Sequence, residues 1–268
     1  MKLSRFAAFS SSLLLGAVLA LTGAGAAQAA ETAAVDYVAL GDSYSSGVGA
    51  GSYDSASGDC KRSTKAFPVL WKNANAPSSF AFTACSGART GDVTSGQLGP
   101  LSTATDLVSV TIGGNDAGFA DVMTTCVLQS ETTCINRVNQ AKSYVADTLP
   151  GKLDSVYAAI RAKAPNARVV VLGYPRFYKL GGSCLAGLSE NERRAINEGS
   201  DILNEATAKR AADHGYTFAG VVPAFTGHEI CSSSSWLHSV NWLNIGESYH
   251  PTAAGQSGGY LPSFRAVA

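Results

Sequence analysis

The stretch that decides the fold is residues 35–50, V-D-Y-V-A-L-G-D-S-Y-S-S-G-V-G-A. Its apolar run, residues 37–40, is typical of a strand buried in a parallel sheet, and the turn formers Gly41, Asp42 and Ser43 follow it directly. Open α/β sheets bind their ligands at the carboxyl ends of such strands. Ser43 is therefore a candidate nucleophile, provided that partners for it occur downstream.

The pattern of strand, glycine turn and polar residue occurs three times. Residues 80–84 predict a second strand, which leads into the turn-rich segment 85–91. Residues 107–112 predict a third strand, which leads into Gly113-Gly114-Asn115-Asp116. If the strands are parallel, these turns lie at the same edge of the sheet as Ser43.

Segments of helical length separate the strands. The predicted helices are residues 64–75, 135–164 with a bend at Pro150, and 189–214, the last opened by a capping box of Ser189 and Glu192. The predicted fourth and fifth strands are residues 168–173 and 218–221. This alternation predicts an α/β fold, a three-layer α/β/α sandwich around a central, mostly parallel five-stranded sheet.

Residues 1–29 have the pattern of a secretory signal peptide. Lys2 and Arg5 precede an apolar centre too short to span a membrane, and Ala27-Gln28-Ala29 is a small-x-small cleavage site. The alternative is an uncleaved membrane anchor, which Gly16 disfavours because it interrupts the apolar centre. We expect a secreted protein without stable membrane insertion, in which residues 30–268 form a single domain.

The charge pattern indicates which partners to expect. The 20 basic and 20 acidic residues balance, and loss of Lys2 and Arg5 with the signal leaves a net charge of about −2. The remaining residues contain no basic cluster, so we expect no nucleic-acid partner. We expect the protein to be a monomer.

The six cysteines point to disulfides. They are Cys60, Cys85, Cys126, Cys134, Cys184 and Cys231. An even number in an exported chain favours bridges, and a zinc site is disfavoured because the chain has no C-x-x-C pair. We expect the cysteines to pair in chain order, because each such pair joins loops at one sheet edge or two positions within one connection; the alternative is another of the fifteen connectivities.

A serine nucleophile needs a base, and the chain has 4 histidines. His214 ends a predicted helix and suits a capping role, while His228 and His238 suit a surface or substrate-contact role. His250 stands in a loop next to Pro251, which we expect in the first turn of a closing helix. His250 is therefore the candidate base.

These four blocks together resemble the GDSL, or SGNH, hydrolase family. The blocks are Gly41-Asp42-Ser43, Gly87, Gly113-Gly114-Asn115-Asp116 and His250-Pro251, and they occur in the family's order over most of the chain. The resemblance is closest to secreted actinobacterial lipases and esterases. It implies that Ser43 is the nucleophile, that His250 is the general base, and that an oxyanion hole is formed by the backbone N–H groups of Ser43 and Gly87 and the side-chain amide of Asn115.

One position departs from the family pattern. Members commonly carry an aspartate three residues before the histidine, where this chain has Glu247. Either Glu247 orients His250, or the backbone carbonyl of Ser248 does so, and both arrangements occur in the family. We expect the carbonyl, because the extra methylene of a glutamate need not bring its carboxylate to the ring nitrogen.

A literal Gly-x-Ser-x-Gly also occurs at residues 255–259. In the α/β-hydrolase fold the acid and the histidine follow that serine, whereas no Asp, Glu or His follows Ser257. We therefore do not assign Ser257 as a nucleophile.

The sequence thus predicts a secreted serine ester hydrolase, a lipase or esterase that cleaves carboxylic esters of lipids, phospholipids being a candidate substrate, without a cofactor or a metal. Apolar residues at the active edge are candidates for an acyl groove: Phe119, Met123, Val127, Leu128, Tyr174, Phe177, Trp236 and Leu237. The alternatives are a carbohydrate acetyl esterase and a non-catalytic secreted binding protein on the same scaffold.

Overall fold

Five parallel strands form the centre of the molecule, seen in a computed structural model that describes residues 35–181, 184 and 187–268. They are β1 (Asp36–Gly41), β2 (Ser79–Phe82), β3 (Leu107–Thr111), β4 (Arg168–Leu172) and β5 (Thr217–Ala219). Their order is β2-β1-β3-β4-β5, and every neighbouring pair is parallel. All residues of β3 are buried, as expected for a parallel sheet covered on both faces. The predicted α/β/α fold is confirmed.

Helices flank this sheet. They are α1 (Ser43–Ser46), α2 (Phe67–Asn75), α3 (Thr90–Asp92), α4 (Phe119–Leu128), α5 (Glu131–Asp147), α6 (Leu149–Lys163), α7 (Glu190–Asp213), α8 (Val222–Phe225) and α9 (Leu261–Arg265). Shorter 3₁₀ segments cover Ser55–Cys60 and Ile245–Glu247, and π-helical segments cover Val93–Gln97 and Gly255–Tyr260. On one face of the sheet, the ring of Tyr37 in β1 packs against Trp71 of α2 and Phe264 of α9.

The predicted capping box is present at the start of α7, where Ser189 and Glu192 bond each other's backbone N–H groups. The single bent helix over 135–164 is wrong. α5 ends at Asp147 and α6 starts at Leu149, because Pro150 fits the first turn of a new helix, where its missing N–H costs nothing. The preceding helix, α4, was missed altogether.

Other predicted boundaries shift by a few residues. α2 starts at Phe67 rather than at residue 64, since Ala66 is still extended and Pro68 lies in the first turn. β2 and β3 end at Phe82 and Thr111, β4 ends at Leu172, and β5 covers Thr217–Ala219. Pro251 does not lie in a first helical turn, because it pairs with Leu237 in a short bridge before the closing helix.

The cysteines pair in the predicted chain order. The bridges are Cys60–Cys85, Cys126–Cys134 and Cys184–Cys231. The predicted signal segment 1–29 lies outside the described residues. Within the described residues, no helix is long and apolar enough to cross a bilayer.

The order of the strands fixes where a ligand can bind. β1 and β3 are neighbours in the sheet, and the connections that leave them lead to opposite sides of the strand order. Such a switch point opens a crevice at the carboxyl ends of the two strands. Ser43 follows β1 and Asn115 follows β3, so the topology places both at this crevice.

Candidate active site

Ser43 is held at the end of β1 by a close approach of two strands. Gly41 has φ +123°, and a Cβ there would come within 2.5 Å of the backbone oxygen of Thr111, so only glycine fits. The chain then turns into α1, whose first residue is Ser43. The glycine of the Gly-Asp-Ser block therefore allows the nucleophile candidate to stand directly beside β3.

Asp42 anchors this turn. Its carboxylate accepts hydrogen bonds from the backbone N–H of Tyr44 at 2.9 Å, from the hydroxyl of Thr111 at 2.7 Å, and from the phenol of Tyr174. Burial raises the pKa of Asp42 to about 6, although all three hydrogen bonds oppose the rise. Asp42 is thus the N-cap of α1, and its hydrogen bonds fix the backbone that carries Ser43.

His250 meets Ser43 directly. Its Nε2 lies 2.7 Å from the Ser43 Oγ, and its Nδ1 lies 2.9 Å from the backbone oxygen of Ser248. Because a carbonyl oxygen can only accept, Nδ1 carries the proton, and Nε2 is left free to accept the serine hydroxyl. This is the tautomer that a general base for Ser43 requires.

The environment of the ring favours its neutral form. Burial lowers the pKa of His250 to about 4, against the hydrogen bond to the Ser248 carbonyl, which favours the charged form. Lys61 and His238 nearby also lower it. His250 is therefore neutral, and able to accept a proton, over the whole neutral range of pH.

Tyr249 gives the loop its shape. It has φ +66°, a left-handed backbone conformation that is costly for a bulky side chain. This turn brings the Ser248 carbonyl round to the ring of His250. The backbone of Tyr249 is held by two hydrogen bonds: its carbonyl accepts from the Tyr44 phenol at 2.8 Å, and its N–H donates to the His238 carbonyl at 3.0 Å.

Glu247 points elsewhere. Its carboxylate accepts a hydrogen bond of 2.7 Å from the phenol of Tyr53, which itself accepts from the backbone N–H of Gly49. The backbone oxygen of Glu247 accepts from the N–H of His250, but that contact does not involve the ring. In this geometry the Ser248 carbonyl, not the Glu247 carboxylate, is the group at Nδ1.

The two remaining oxyanion-hole candidates lie around the same cavity. Gly87 has φ +77°, and the Cys60–Cys85 bridge holds its loop, in which Ser86 donates to the Cys60 carbonyl at 3.1 Å. The side-chain nitrogen of Asn115 donates to the Ala88 carbonyl at 3.0 Å. An amide nitrogen has two hydrogens, so one remains for a ligand. Ser43, Gly87 and Asn115 all line one open cleft.

This cleft is largely apolar and has a volume of about 500 Å³. Of the predicted groove residues, Phe119, Met123, Val127 and Leu128 line it. Tyr174 and Phe177 line a second, smaller cavity instead. Trp236 and Leu237 line neither: Trp236 stacks on His228 at 3.6 Å between ring centroids, and Leu237 is buried beside Pro251.

Sequence reasoning missed several residues of this site. Trp242 and Ile245 line the cleft from an uncharged loop that has no regular pattern. Tyr174 was assigned only to the groove, although Gly173-Tyr174 repeats the pattern of strand, glycine and polar residue at the end of β4. That fourth repeat is the signal that could have placed Tyr174 beside Asp42.

The rings of the other three histidines contact groups other than Ser43 and His250. His214 caps the end of α7 and lies 3.0 Å from the Asp154 carboxylate, and His228 contacts the Ser234 carbonyl. His238 contacts the Gly49 carbonyl at 2.8 Å. Across the described part of the chain, no three His, Cys, Asp or Glu side chains approach closely enough to hold a metal ion.

Comparison with known proteins shows the family to which this chain belongs. Residues 39–257 match the GDSL-like lipase/acylhydrolase family. Lipase 1 of Streptomyces coelicolor is 70% identical over 269 residues, which cover 100% of both chains. The chain belongs to this family, and it is a carboxylic ester hydrolase.

Two solved structures are also similar. A phospholipase A1 from Streptomyces albidoflavus has a TM-score of 0.87 and 69% identity, covering 88% of this chain and 100% of that one. An extracellular lipase from Streptomyces rimosus has a TM-score of 0.86 and 63% identity, with the same coverage.

Proposed function

We propose that this protein hydrolyses carboxylic esters of lipids through an acyl-enzyme on Ser43. The observation that carries the proposal is the 2.7 Å contact between Ser43 Oγ and His250 Nε2 on the wall of a 500 Å³ apolar cleft. A serine hydroxyl is a weak nucleophile without a base at hydrogen-bond distance, and here the base has its other nitrogen already fixed.

The reaction proceeds in two halves. Ser43 Oγ attacks the ester carbonyl carbon while its proton passes to His250 Nε2, and the carbonyl oxygen becomes an oxyanion. The backbone N–H groups of Ser43 and Gly87 and the Asn115 amide stabilise that oxyanion. The intermediate then collapses, the bond to the alcohol oxygen breaks, and His250 returns the proton to the leaving alcohol. The acyl group remains on Ser43.

Water completes the cycle. His250 takes a proton from a water molecule as the water oxygen attacks the acyl carbon, and the second tetrahedral intermediate expels Ser43 Oγ, which regains the proton from Nε2. During both halves the imidazolium is stabilised by the Ser248 carbonyl, which accepts from Nδ1–H. The active site therefore works as a Ser43–His250 dyad with a main-chain orienting group.

The surface around the cleft supports a lipid rather than an acetylated carbohydrate as substrate. Leu128, Trp242 and Ile245 line the cleft and are 61%, 70% and 61% exposed, and the neighbouring Leu243 is 101% exposed. Large apolar side chains rarely cluster in water unless they contact a ligand or a surface. An acetyl group is too small to cover them, whereas a lipid surface can.

Secretion belongs to the same proposal. The signal pattern of residues 1–29 and the three bridges suit an oxidising, extracellular location, and the relative from Streptomyces rimosus is an extracellular lipase. A single domain over residues 30–268, a monomeric state and the lack of a nucleic-acid partner remain predictions.

The decisive experiment is hydrolysis of a series of esters with acyl chains from two to eighteen carbons by wild type, Ser43→Ala and Ser257→Ala. Ser257 is the exposed serine of the second Gly-x-Ser-x-Gly motif and is a matched control. We expect Ser43→Ala to fold and to lose activity on every ester, and Ser257→Ala to keep it. More than a few per cent of activity in Ser43→Ala would mean another nucleophile. Activity confined to acetyl esters would favour a carbohydrate acetyl esterase. A wild type without activity on any ester would favour a non-catalytic binding protein.

A further inference from the structure

A second cavity starts at Ser43 and leads into the interior between α5 and α7. It shares Ser43, Asn115, Phe119 and Met123 with the open cleft, but it is smaller, with a volume of about 70 Å³. One water-sized group needs about 10–15 Å³ of such volume, so the cavity takes a row of about five. Its walls are one face of each helix: Val138, Ala141, Lys142 and Val145 on α5, and Ile196, Gly199, Ser200 and Leu203 on α7.

The polar side chains in this cavity already have partners within the protein. The Asp42 carboxylate accepts three hydrogen bonds, and Tyr174 is one of the donors. The Ser200 hydroxyl donates to the Pro175 carbonyl at 2.8 Å, and the Lys142 ammonium pairs with Glu198 at 2.8 Å, leaving its methylene stem against the cavity. No buried side-chain polar atom in the described walls is left without a partner, so the cavity suits an apolar ligand better than water.

Gly199 stands in the wall of this cavity, in the interior of a 24-residue helix. Glycine weakens a helix interior relative to alanine, so its presence calls for a reason. Gly199 is not among the residues with positive φ, and the nearest atom to a Cβ built there is Val138 Cγ1 at 3.6 Å, an ordinary contact. Neither backbone conformation nor close packing demands glycine. The absence of a side chain at Gly199 instead leaves space that belongs to the cavity.

We propose that this cavity holds the first carbons of the acyl chain of the ester while its carbonyl lies at Ser43, and that Gly199 sets how many of those carbons fit. The inference rests on the proposed function and adds the position of the acyl chain to it. The open cleft then receives the alcohol part of the substrate. A larger side chain at position 199 would fill the cavity from the α7 wall, and long acyl chains would lose their place while short ones keep it.

The test measures kcat/KM of Gly199→Ala and Gly199→Leu on soluble p-nitrophenyl esters with acyl chains of two to twelve carbons. Each methylene excluded from an apolar pocket costs about 10–200-fold. We expect Gly199→Leu to stay within about threefold of wild type on the two-carbon ester and to fall at least tenfold on esters of eight carbons or more. Gly199→Ala should show the same trend with a smaller loss.

Gly151→Ala and Gly151→Leu provide the matched control. Gly151 lies in α6, is exposed, and has open space where a Cβ would stand, so its variants should keep the wild-type chain-length profile. Alanine is the better helix former at both positions, so both alanine variants should melt at or above the wild-type temperature. A loss on long chains in Gly199→Ala would then not arise from unfolding, even if Gly199→Leu failed to fold.

The outcomes separate this inference from the proposed function. An active wild type whose Gly199 variants keep the same chain-length profile would overturn the acyl-chain assignment and leave Ser43 chemistry intact. Activity that survives in Ser43→Ala would overturn the proposed function first. A selective loss on long chains in the Gly199 variants, with Gly151 variants unchanged, is the result that the acyl cavity requires.

Discussion

The phenol of Tyr53 donates a hydrogen bond of 2.7 Å to the carboxylate of Glu247, and this contact turns the carboxylate toward the segment that carries Gly49. Glu247, the acidic residue nearest to His250 in the sequence, is therefore bonded to Tyr53 and not to the imidazole ring. Its place at Nδ1 is taken by the Ser248 carbonyl at 2.9 Å.

Glu247→Gln should therefore lower kcat by at most about tenfold. Replacing a true triad carboxylate with its amide costs about 10⁴ in kcat because it favours the wrong imidazole tautomer. A carboxylate that only supports the imidazolium from a distance is worth about one factor of ten. The measurement is kcat on one soluble ester for Glu247→Gln and Glu247→Ala, with His250→Ala as the inactive reference and Tyr53→Phe as a variant that frees the carboxylate. A loss of a thousandfold in both Glu247 variants would establish a triad.

The acid limb of the pH profile should lie well below neutrality. His250 can act as a base only when neutral, and burial lowers its pKa to about 4 from the ordinary value of 6.5. Activity must fall as pH drops through that pKa, so kcat/KM on a soluble ester should be nearly constant from pH 7 to pH 5 and half lost near pH 4. A half-point at pH 6 or above would contradict the buried, neutral ring described here.

Asp42→Asn should change how stability depends on pH. The folded pKa of Asp42 is raised from 3.8 to about 6, so the protonated form is favoured in the folded state. The contribution of this protonated form to the free energy of unfolding is fully present below about pH 4. It is lost as pH rises through 6, a change of about 3 kcal/mol. The variant cannot ionise, so its free energy of unfolding relative to wild type should become more favourable by about that amount from pH 4 to pH 7.

Urea unfolding of both proteins at pH 4, 5, 6 and 7 checks this expectation. His250 titrates in the same window, but in the opposite sense for stability, because its folded pKa is lowered. His250 is present in both proteins, so the difference between them isolates Asp42. A difference that stays constant over this range would mean that Asp42 keeps its unfolded pKa.

Leu243→Ser should weaken action on lipid aggregates without affecting soluble esters. Leu243 is 101% exposed and does not line the cleft, but it neighbours Trp242, which does. Burying one leucine side chain stabilises by about 1.5–3 kcal/mol, so loss of it should raise the apparent KM on phosphatidylcholine vesicles about tenfold or more. Leu180→Ser, at a partly exposed leucine outside both cavities, is the control. Equal KM values on vesicles for the two variants would mean that Leu243 does not contact the lipid surface.

Local signals in the sequence predicted most of the fold. The apolar runs located all five strands, and the reciprocal Ser189–Glu192 pattern located the start of α7. α4 escaped because its start at Gly118 has no side-chain cap, and the threonines of its second half favour strands as much as helices. Pro150 was interpreted as a bend because a proline in the first turn of one helix and a proline inside a longer helix produce similar patterns.

The residues of the site also divide into those that the sequence predicted and those that it did not. Four site residues stand in recognisable sequence blocks: Ser43, Gly87, Asn115 and His250. Their roles could therefore be predicted from the sequence, and the observed geometry is compatible with those roles. Tyr53 and Tyr174 could not be assigned, since their partners Glu247 and Asp42 lie 194 and 132 positions away. Gly199 carries no sequence signal beyond being a glycine in a helix, because its meaning depends on Val138 across the helix interface.

The group that orients His250 is a main-chain atom, and every amino acid supplies one. Substitution at position 247 or 248 cannot delete that oxygen, whereas one base change can delete the carboxylate of a triad. The structural requirement lies instead in the backbone bend at Tyr249, whose φ of +66° brings the carbonyl round to the ring. Genome surveys that demand an aspartate three residues before the histidine would discard active chains of this kind, while surveys based on the shape of the bend would keep them.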